Sequence, residues 1–334
     1  MTPSIVNRQS SIVNRQSEII MSFGELSLIK QFRANAPAHP WITVGPGQDC
    51  AILRWEQDRD VAFKIDQIIE GTHFEISGPN AVPPSRIGWK AMAKACSDIA
   101  ATGFWPVAAT VAINLRKGSS EQLAVEIYQG LIDCCARYQF GLAGGDVSVS
   151  ENGLAIVVSL LGEGPKNGAW LRRGAQVGDA LLVTGALGGS RASKHLRFMP
   201  RLDEARLIRK LVPDGIHACI DITDGLARDL RHICEESRCG ALVYEDQIPI
   251  SDDTLQFVNG PRGRNALDQA LADGEDFELL LAVDPKAVQK LLDWPHATKI
   301  TRIGEIQSAD NGCALVKSNG QRHPLPDVGY EHRT

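Results

Sequence analysis

From Asp60 onward the chain alternates short apolar runs with longer stretches in which apolar residues recur every three or four positions, the patterning of a protein that mixes strands with amphipathic helices. VAFKID (61–66) predicts a strand. From Ser85 to Ala101 the spacing of Ile87, Ala91, Ala95 and Ile99 predicts a helix, with Gly103 just past its end. VAATVAINL (107–115) predicts a second strand, Ser119 with Gln122 a capping-box start for a helix to about Tyr138, and LAIVVSLLGE (154–163) a buried strand. A polar, Gly-rich stretch at 164–178 separates these from a second set. That set comprises a strand at 179–185, a helix around Arg191, a strand at 218–221 and a helix from about Gly225 to Arg238, ended by Gly240. A strand at 277–284, a helix at 286–293 and a strand at 299–306 follow. The pattern predicts an α/β protein of the α+β type with two domains of similar size, 21–165 and 166–334.

Composition narrows the class. With 334 residues and 43% hydrophobic content the chain can bury two ordinary cores. The 35 basic and 40 acidic residues leave a formal charge of -5, with no Lys/Arg block, which argues against a nucleic-acid partner. Eight cysteines without a CxxC pair suit reduced thiols in a cytoplasmic protein. No apolar run reaches a membrane span. The repeated SIVNRQS at 4–10 and 11–17 reads as a disordered or mis-assigned leader over 1–20, with Met21 as the expected start.

The acids are informative by position. Asp49 lies in GPGQDCA, Asp66 ends VAFKID, Asp98 lies near the end of the first helix, and Asp146 sits in AGGDVS after a short strand. Asp221 and Asp224 sit in DITDG, and Glu275 with Asp276 in DGEDFEL. Nearly all stand beside glycine at an element end. Two carboxylates 4 Å apart repel by about 4 kcal/mol at an effective dielectric near 20, so converging acids need cations. Oxygen donors without a matched His/Cys set favour Mg²⁺, and neighbouring glycines let phosphate oxygens reach main-chain N–H groups. GxxxxGK[ST] and the kinase HRD and DFG sets are absent. His73 is either a surface or packing histidine or a donor to an anion, and Arg172 with Arg173 either a solvated pair or a phosphate clamp.

The ordered series GQDCA, KIDQIIEGTHF, SDIAATG, GGDVS, RRGAQVGD, DITDGLARDL and GEDFEL resembles the thiamine-monophosphate kinase family of the AIR-synthase-like ATP-binding superfamily, from the GELSLI stretch at 24–29 to GYEH at 329–332. The resemblance implies a two-domain AIR-synthase-like fold whose N-terminal sheet forms a homodimer. It also implies Mg²⁺-dependent in-line transfer of the γ-phosphoryl group of ATP to thiamine monophosphate, giving thiamine diphosphate. Carried over position by position, Asp49, Asp66, Asp98, Asp146, Asp221 and Asp224 would hold Mg²⁺. Gly145, Asp146, Arg172 and Thr223 would touch ATP, and His73, Glu275 and the Asp327 position the thiamine phosphate. No dedicated catalytic base is expected, because the acceptor is already an anionic phosphate.

The chain departs from the family pattern at Gln48, where GDD is usual, and at Lys64, Ile65 and Gln67, where Ser-Thr-Asp-Thr brings metal-binding hydroxyls. It also departs at Asp327, where an aromatic residue is usual. Lys64 is a candidate substitute for one metal. The alternatives are a superfamily enzyme with another acceptor and a nucleotide-binding homodimer without catalysis.

Overall fold

The computed structural model describes residues 40, 42–45, 48–55, 58–192, 194–256, 265–293 and 295–331. The leader 1–20 with its repeat, Met21, the GELSLI stretch and His332 lie outside the described residues.

Six strands of the N-terminal half form one sheet: β1 (Ile42–Val44), β2 (Ala51–Arg54), β3 (Arg59–Ile69), β4 (Trp105–Arg116), β5 (Gly141–Ser150) and β6 (Ala155–Pro165). Their order is β1-β2-β3-β6-β4-β5, antiparallel except for the parallel β4–β5 pair. Along β3 burial alternates, so Ala62, Lys64, Asp66 and Ile68 face inward while Phe63, Ile65, Gln67 and Ile69 face outward. Seven strands form the second sheet: β7 (Ala180–Thr184), β8 (Ile216–Asp221), β9 (Gly240–Tyr244), β10 (Leu279–Val283), β11 (Ile300–Gln307), β12 (Cys313–Val316) and β13 (Arg322–Pro324). They run in the order β13-β12-β9-β11-β7-β10-β8. β7 and β10 are buried at every residue, which is why they read as unbroken apolar runs.

The helices are α1 (Pro84–Ala101), α2 (Glu121–Tyr138), α3 (Leu202–Leu211), α4 (Leu226–Ser237), α5 (Ala266–Ala272) and α6 (Pro285–Leu292). One apolar core joins the inner face of the first sheet, α1 and α2 to the Leu182, Cys219, Leu279 and Leu281 face of the second sheet, with α3 and α6. The opposite face of that sheet, with Leu181, Ile220 and Leu280, packs on α4 and α5. Where α1 crosses α2, a Cβ on Gly88 would stand 1.9 Å from the Ile127 carbonyl oxygen and one on Gly130 1.8 Å from that of Ser85. Only glycine permits this backbone-to-backbone approach.

Several elements differ from the sequence expectation. β3 continues to Ile69, so Asp66 lies mid-strand, paired with Val158. The cap of α2 is Ser120, whose hydroxyl accepts from the Leu123 N–H at 3.2 Å, one residue past the expected Ser119. Around Arg191 there are only short 3-10 turns, since Gly188 and Gly189 both take positive φ, and a full helix begins at Leu202. Gly240 opens β9, and Arg238 at φ 54 ends α4 instead. Asp146 lies within β5, not after it. No helix among the described residues is long and apolar enough to cross a membrane.

Candidate active site

The acids gather around α1. Lys90, Lys94, Ser97 and Asp98 are spaced i, i+4, i+7 and i+8, so they share one stripe of an otherwise apolar helix. From that stripe the Ser97 hydroxyl donates to Asp221 Oδ2 at 2.6 Å, and Asp98 Oδ1 accepts from Lys64 Nζ at 2.7 Å. Lys94 Nζ lies 3.0 Å from Asp66 Oδ1, and Lys64 Nζ 3.6 Å from Asp66 Oδ2. Asp49, just ahead of β2, takes the Arg172 guanidinium through Nη2 at 2.6 Å and Nε at 3.1 Å. Asp49, Asp98 and Asp221, all buried, each bring an oxygen to within 4.8 Å of the others.

Electrostatics follow from this crowding. Burial opposes the charge on Lys64, but Asp66 and Asp98 outweigh it and hold its pKa well above the ordinary value. Burial also works against Asp66, yet Lys64 and Lys94 pull its pKa down to about 2. Asp221 is pushed up to about 7 by burial and then by Asp49, with the Ser97 hydrogen bond working the other way. Asp98 is raised well above the carboxylate range by burial, Lys64 opposing and Asp221 adding. Three cations, Lys64, Lys94 and Arg172, thus serve four acids.

The donor set fits a divalent cation. Its donors are carboxylate oxygens, the ligand type Mg²⁺ prefers. The carboxylates converge although burial, with the neighbouring acids adding to it, raises the pKa of Asp98 and Asp221, and buried Asp66 Oδ2 makes no hydrogen bond.

The remaining expected residues divide. Asp224 belongs to a second group with Asp229 and His232. There Asp229 Oδ2 accepts the N–H groups of Thr223, Asp224 and Gly225 at 2.9, 3.0 and 3.2 Å, fixing the DITDG loop at the start of α4. The Thr223 carbonyl accepts from the Glu275 N–H at 2.7 Å, joining that loop to DGEDFEL. His73 Nδ1 accepts from the Ile69 N–H at 3.1 Å, and the His73 carbonyl accepts from Lys90 at 2.9 Å. Glu275 Oε1 lies 2.7 Å from Lys90 Nζ. Asp146 is exposed on the edge strand β5, in register with Ala112, and the ladder carries it to the outward face shared with Gln67. It therefore stands apart from the cluster. A Cβ on neighbouring Gly145 would lie 2.1 Å from the Val111 carbonyl oxygen.

The departures also sort themselves by face. Lys64 turns toward the acids, whereas Ile65 is 66% exposed on the opposite face. Gln48 acts as a bracket, its Oε1 accepting from the Arg172 N–H at 2.7 Å and its Nε2 donating to Glu236 at 3.2 Å. The Asp327 side chain is 88% exposed, 3.9 Å from Arg231. The aromatic group near DITDG is Tyr330, whose N–H donates to the Asp224 carbonyl at 2.9 Å and whose ring lies 5.0 Å from the Arg191 guanidinium carbon. Sequence reasoning missed Lys90, Lys94, Ser97, Asp229 and His195. The polar stripe at helical spacing in an apolar helix was the signal for the first three.

The family model for the N-terminal domain of AIR synthase related proteins matches residues 47–164, and that for the C-terminal domain matches residues 153–317. The chain is similar to thiamine-monophosphate kinase of Rhodopirellula baltica, 38% identical over 294 residues that cover 84% of this chain and 89% of that protein. It is similar to thiamine-monophosphate kinase of Escherichia coli K12, 30% identical over 337 residues, covering 93% and 99%. Among solved structures, AaThiL complexed with AMPPCP and TMP matches with a TM-score of 0.78 at 26% identity, covering 92% of this chain and 97% of that one.

Proposed function

Because the chain belongs to the thiamine-monophosphate kinase family and acts as an ATP-dependent thiamine-phosphate kinase, we propose that its buried acidic cleft works with Mg²⁺ to carry the γ-phosphoryl group of ATP to thiamine monophosphate. The observation that carries this reading is the convergence of Asp49, Asp98 and Asp221 beside the Lys64–Asp98 hydrogen bond. Asp49, Asp98 and Asp221, with Asp66 beside them, would hold the ion. When bound, Mg²⁺ supplies charge neutralisation and alignment for two anionic phosphates.

The chain's own residues do the rest. Ser97 orients Asp221, and Lys64 keeps Asp98 and Asp66 from repelling each other while adding a positive charge that faces incoming phosphate. Arg172 brings a guanidinium of the shape that grips phosphate in a bidentate manner. The acceptor oxygen is already an anion, so no proton has to be removed and positioning is the larger task. His73 and Glu275, joined through Lys90, form the acceptor side. Gly145, Asp146, Thr223 and Asp224 are assigned to nucleotide and metal through the family resemblance.

The outward face of the first sheet, with Phe63 at 46% and Ile65 at 66% exposure, supports a homodimer formed through that sheet. The eight free thiols support work in a reducing cytoplasm. Incubation with ATP, Mg²⁺ and thiamine monophosphate should yield thiamine diphosphate and ADP in equal amounts. Tight ATP binding with no thiamine diphosphate formed would overturn the reading, and ADP release without it would point to another acceptor.

A further inference from the structure

Lys90 has no solvent exposure at all, and an ammonium in such a position is costly unless each of its hydrogens is met. They are met. Lys90 Nζ lies 2.7 Å from Glu275 Oε1, 2.9 Å from the His73 carbonyl oxygen and 2.7 Å from His195 Nδ1. Three donors face three acceptors, so the ammonium is saturated. With Lys90 as the ammonium, His195 Nδ1 accepts, which puts the imidazole proton on Nε2. Glu275 Oε2 also lies 3.1 Å from Nδ1, and in this state both atoms are acceptors held together by the lysine between them.

The partners come from separate segments. His73 follows β3, His195 lies in the turns before α3, and Glu275 lies in the DGEDFEL loop. Glu275 is itself over-determined: it sits at φ 56 beside Gly274 at φ 71, its N–H bonds to the Thr223 carbonyl, and its carbonyl accepts from the Ser190 hydroxyl at 2.5 Å. A non-glycine residue in that conformation is strained and persists only where its surroundings enforce it. Burial first lowers the pKa of His195, with Glu275 opposing and Lys90 adding to the fall, which favours a neutral imidazole.

We propose that Lys90 is a positioning residue for the acceptor side, orienting the Glu275 carboxylate and holding His195 as the neutral Nε2–H tautomer, a hydrogen-bond donor for thiamine monophosphate. This rests on the acceptor-side reading of His73 and Glu275. It adds Lys90 and His195 to that side and states a defined proton arrangement.

Two measurements test it. Nitrogen NMR of ¹⁵N-histidine-labelled full-length protein, with His195 assigned by the His195→Asn variant, should give an unprotonated Nδ1 and a protonated Nε2. A protonated Nδ1 or an imidazolium at neutral pH would overturn the proposal, whatever the activity. In steady-state kinetics Lys90→Met, which keeps the stem and removes the charge, should raise KM for thiamine monophosphate by about tenfold or more while moving KM for ATP by less than about threefold. Equal changes in both constants would mark a merely structural lysine. If Lys90→Met does not fold, the NMR result on the parent still decides. A parent that forms no thiamine diphosphate sinks the functional reading instead, leaving the tautomer result to stand or fall by itself.

Discussion

Removing the Lys64 ammonium is the most direct test of how the acidic cleft is balanced. At an effective dielectric near 20, its attraction for Asp98 at 2.7 Å is about 6 kcal/mol and for Asp66 at 3.6 Å about 5 kcal/mol, before the cost of taking the charge out of water. That cost cancels much of the gain, yet truncating one partner of a buried pair still costs about 3–5 kcal/mol because the other charge is stranded. Lys64→Ser leaves four acids facing only Lys94 and Arg172. For a chain of this length the unfolding entropy is about 0.7 kcal/mol per degree, so Tm should fall by about 4–7 °C in the presence of a chelator. Serine also returns a hydroxyl at the place the lysine vacates. Adding MgCl₂ should therefore raise Tm more in the variant than in the parent, and a hundredfold excess over the variant's own dissociation constant would stabilise it by about 3 kcal/mol. Differential scanning calorimetry of both proteins, with chelator and with MgCl₂, reads both quantities. A variant as stable as the parent under chelation, or identical Mg²⁺ gains in the two proteins, would refute the idea that ammonium and cation compete for the same carboxylates.

Three further outcomes are expected. Arg201→Met removes the bidentate partner of buried Glu278, held by Arg201 at 2.6 Å through both Nε and Nη2, and leaves it Lys194 and the Thr184 hydroxyl, so it should lower urea-derived stability by about 1.5–3 kcal/mol. Asp276, pushed up to about 7 first by burial, keeps its proton in the folded state through a range where the unfolded chain, titrating near 3.8, has lost it. Its contribution is fully present below about pH 4 and is lost as pH rises through about 7, up to about 4 kcal/mol, so Asp276→Asn should flatten the fall in stability over that window. Ile65→Lys puts a charge on the outward face of β3 and should halve the mass measured by light scattering, whereas an unchanged mass would remove that face as the dimer surface.

Much of the fold could be read from the pattern. The strands buried on both faces and the longer helices carry periodicity strong enough to survive context. The sequence predicts β5 only as a short strand ending ahead of Asp146, because GGDVSVS looks like a loop by composition. It is a strand because β4 supplies a parallel partner and Gly145 lets the chains approach closely. α3 and α5 are short, at ten and seven residues, and stabilised by packing that local propensity does not record. In the site, the glycine-flanked carboxylates Asp49, Asp98 and Asp221, singled out by position in the sequence, are brought together in the fold. Which face each neighbour takes could not be read without the true extent of β3. The sequence treats Lys64 and Ile65 as one departure, and the pleat separates them completely.

The stripe on α1 has a consequence for how the cleft can vary. Lys90 and Asp98 are eight residues apart on one uninterrupted helix, about 12 Å at 1.5 Å per residue. The span from the junction at Glu275 to the acid cluster is thus a covalent ruler, and the Gly88–Gly130 crossing clamps the ruler in place. Inserting one residue between them would turn half the stripe by about 100° and detach it from its partners in a single step. The two ends cannot drift apart gradually, so any change in their spacing falls to the segments after β3 and around Glu275 that reach them.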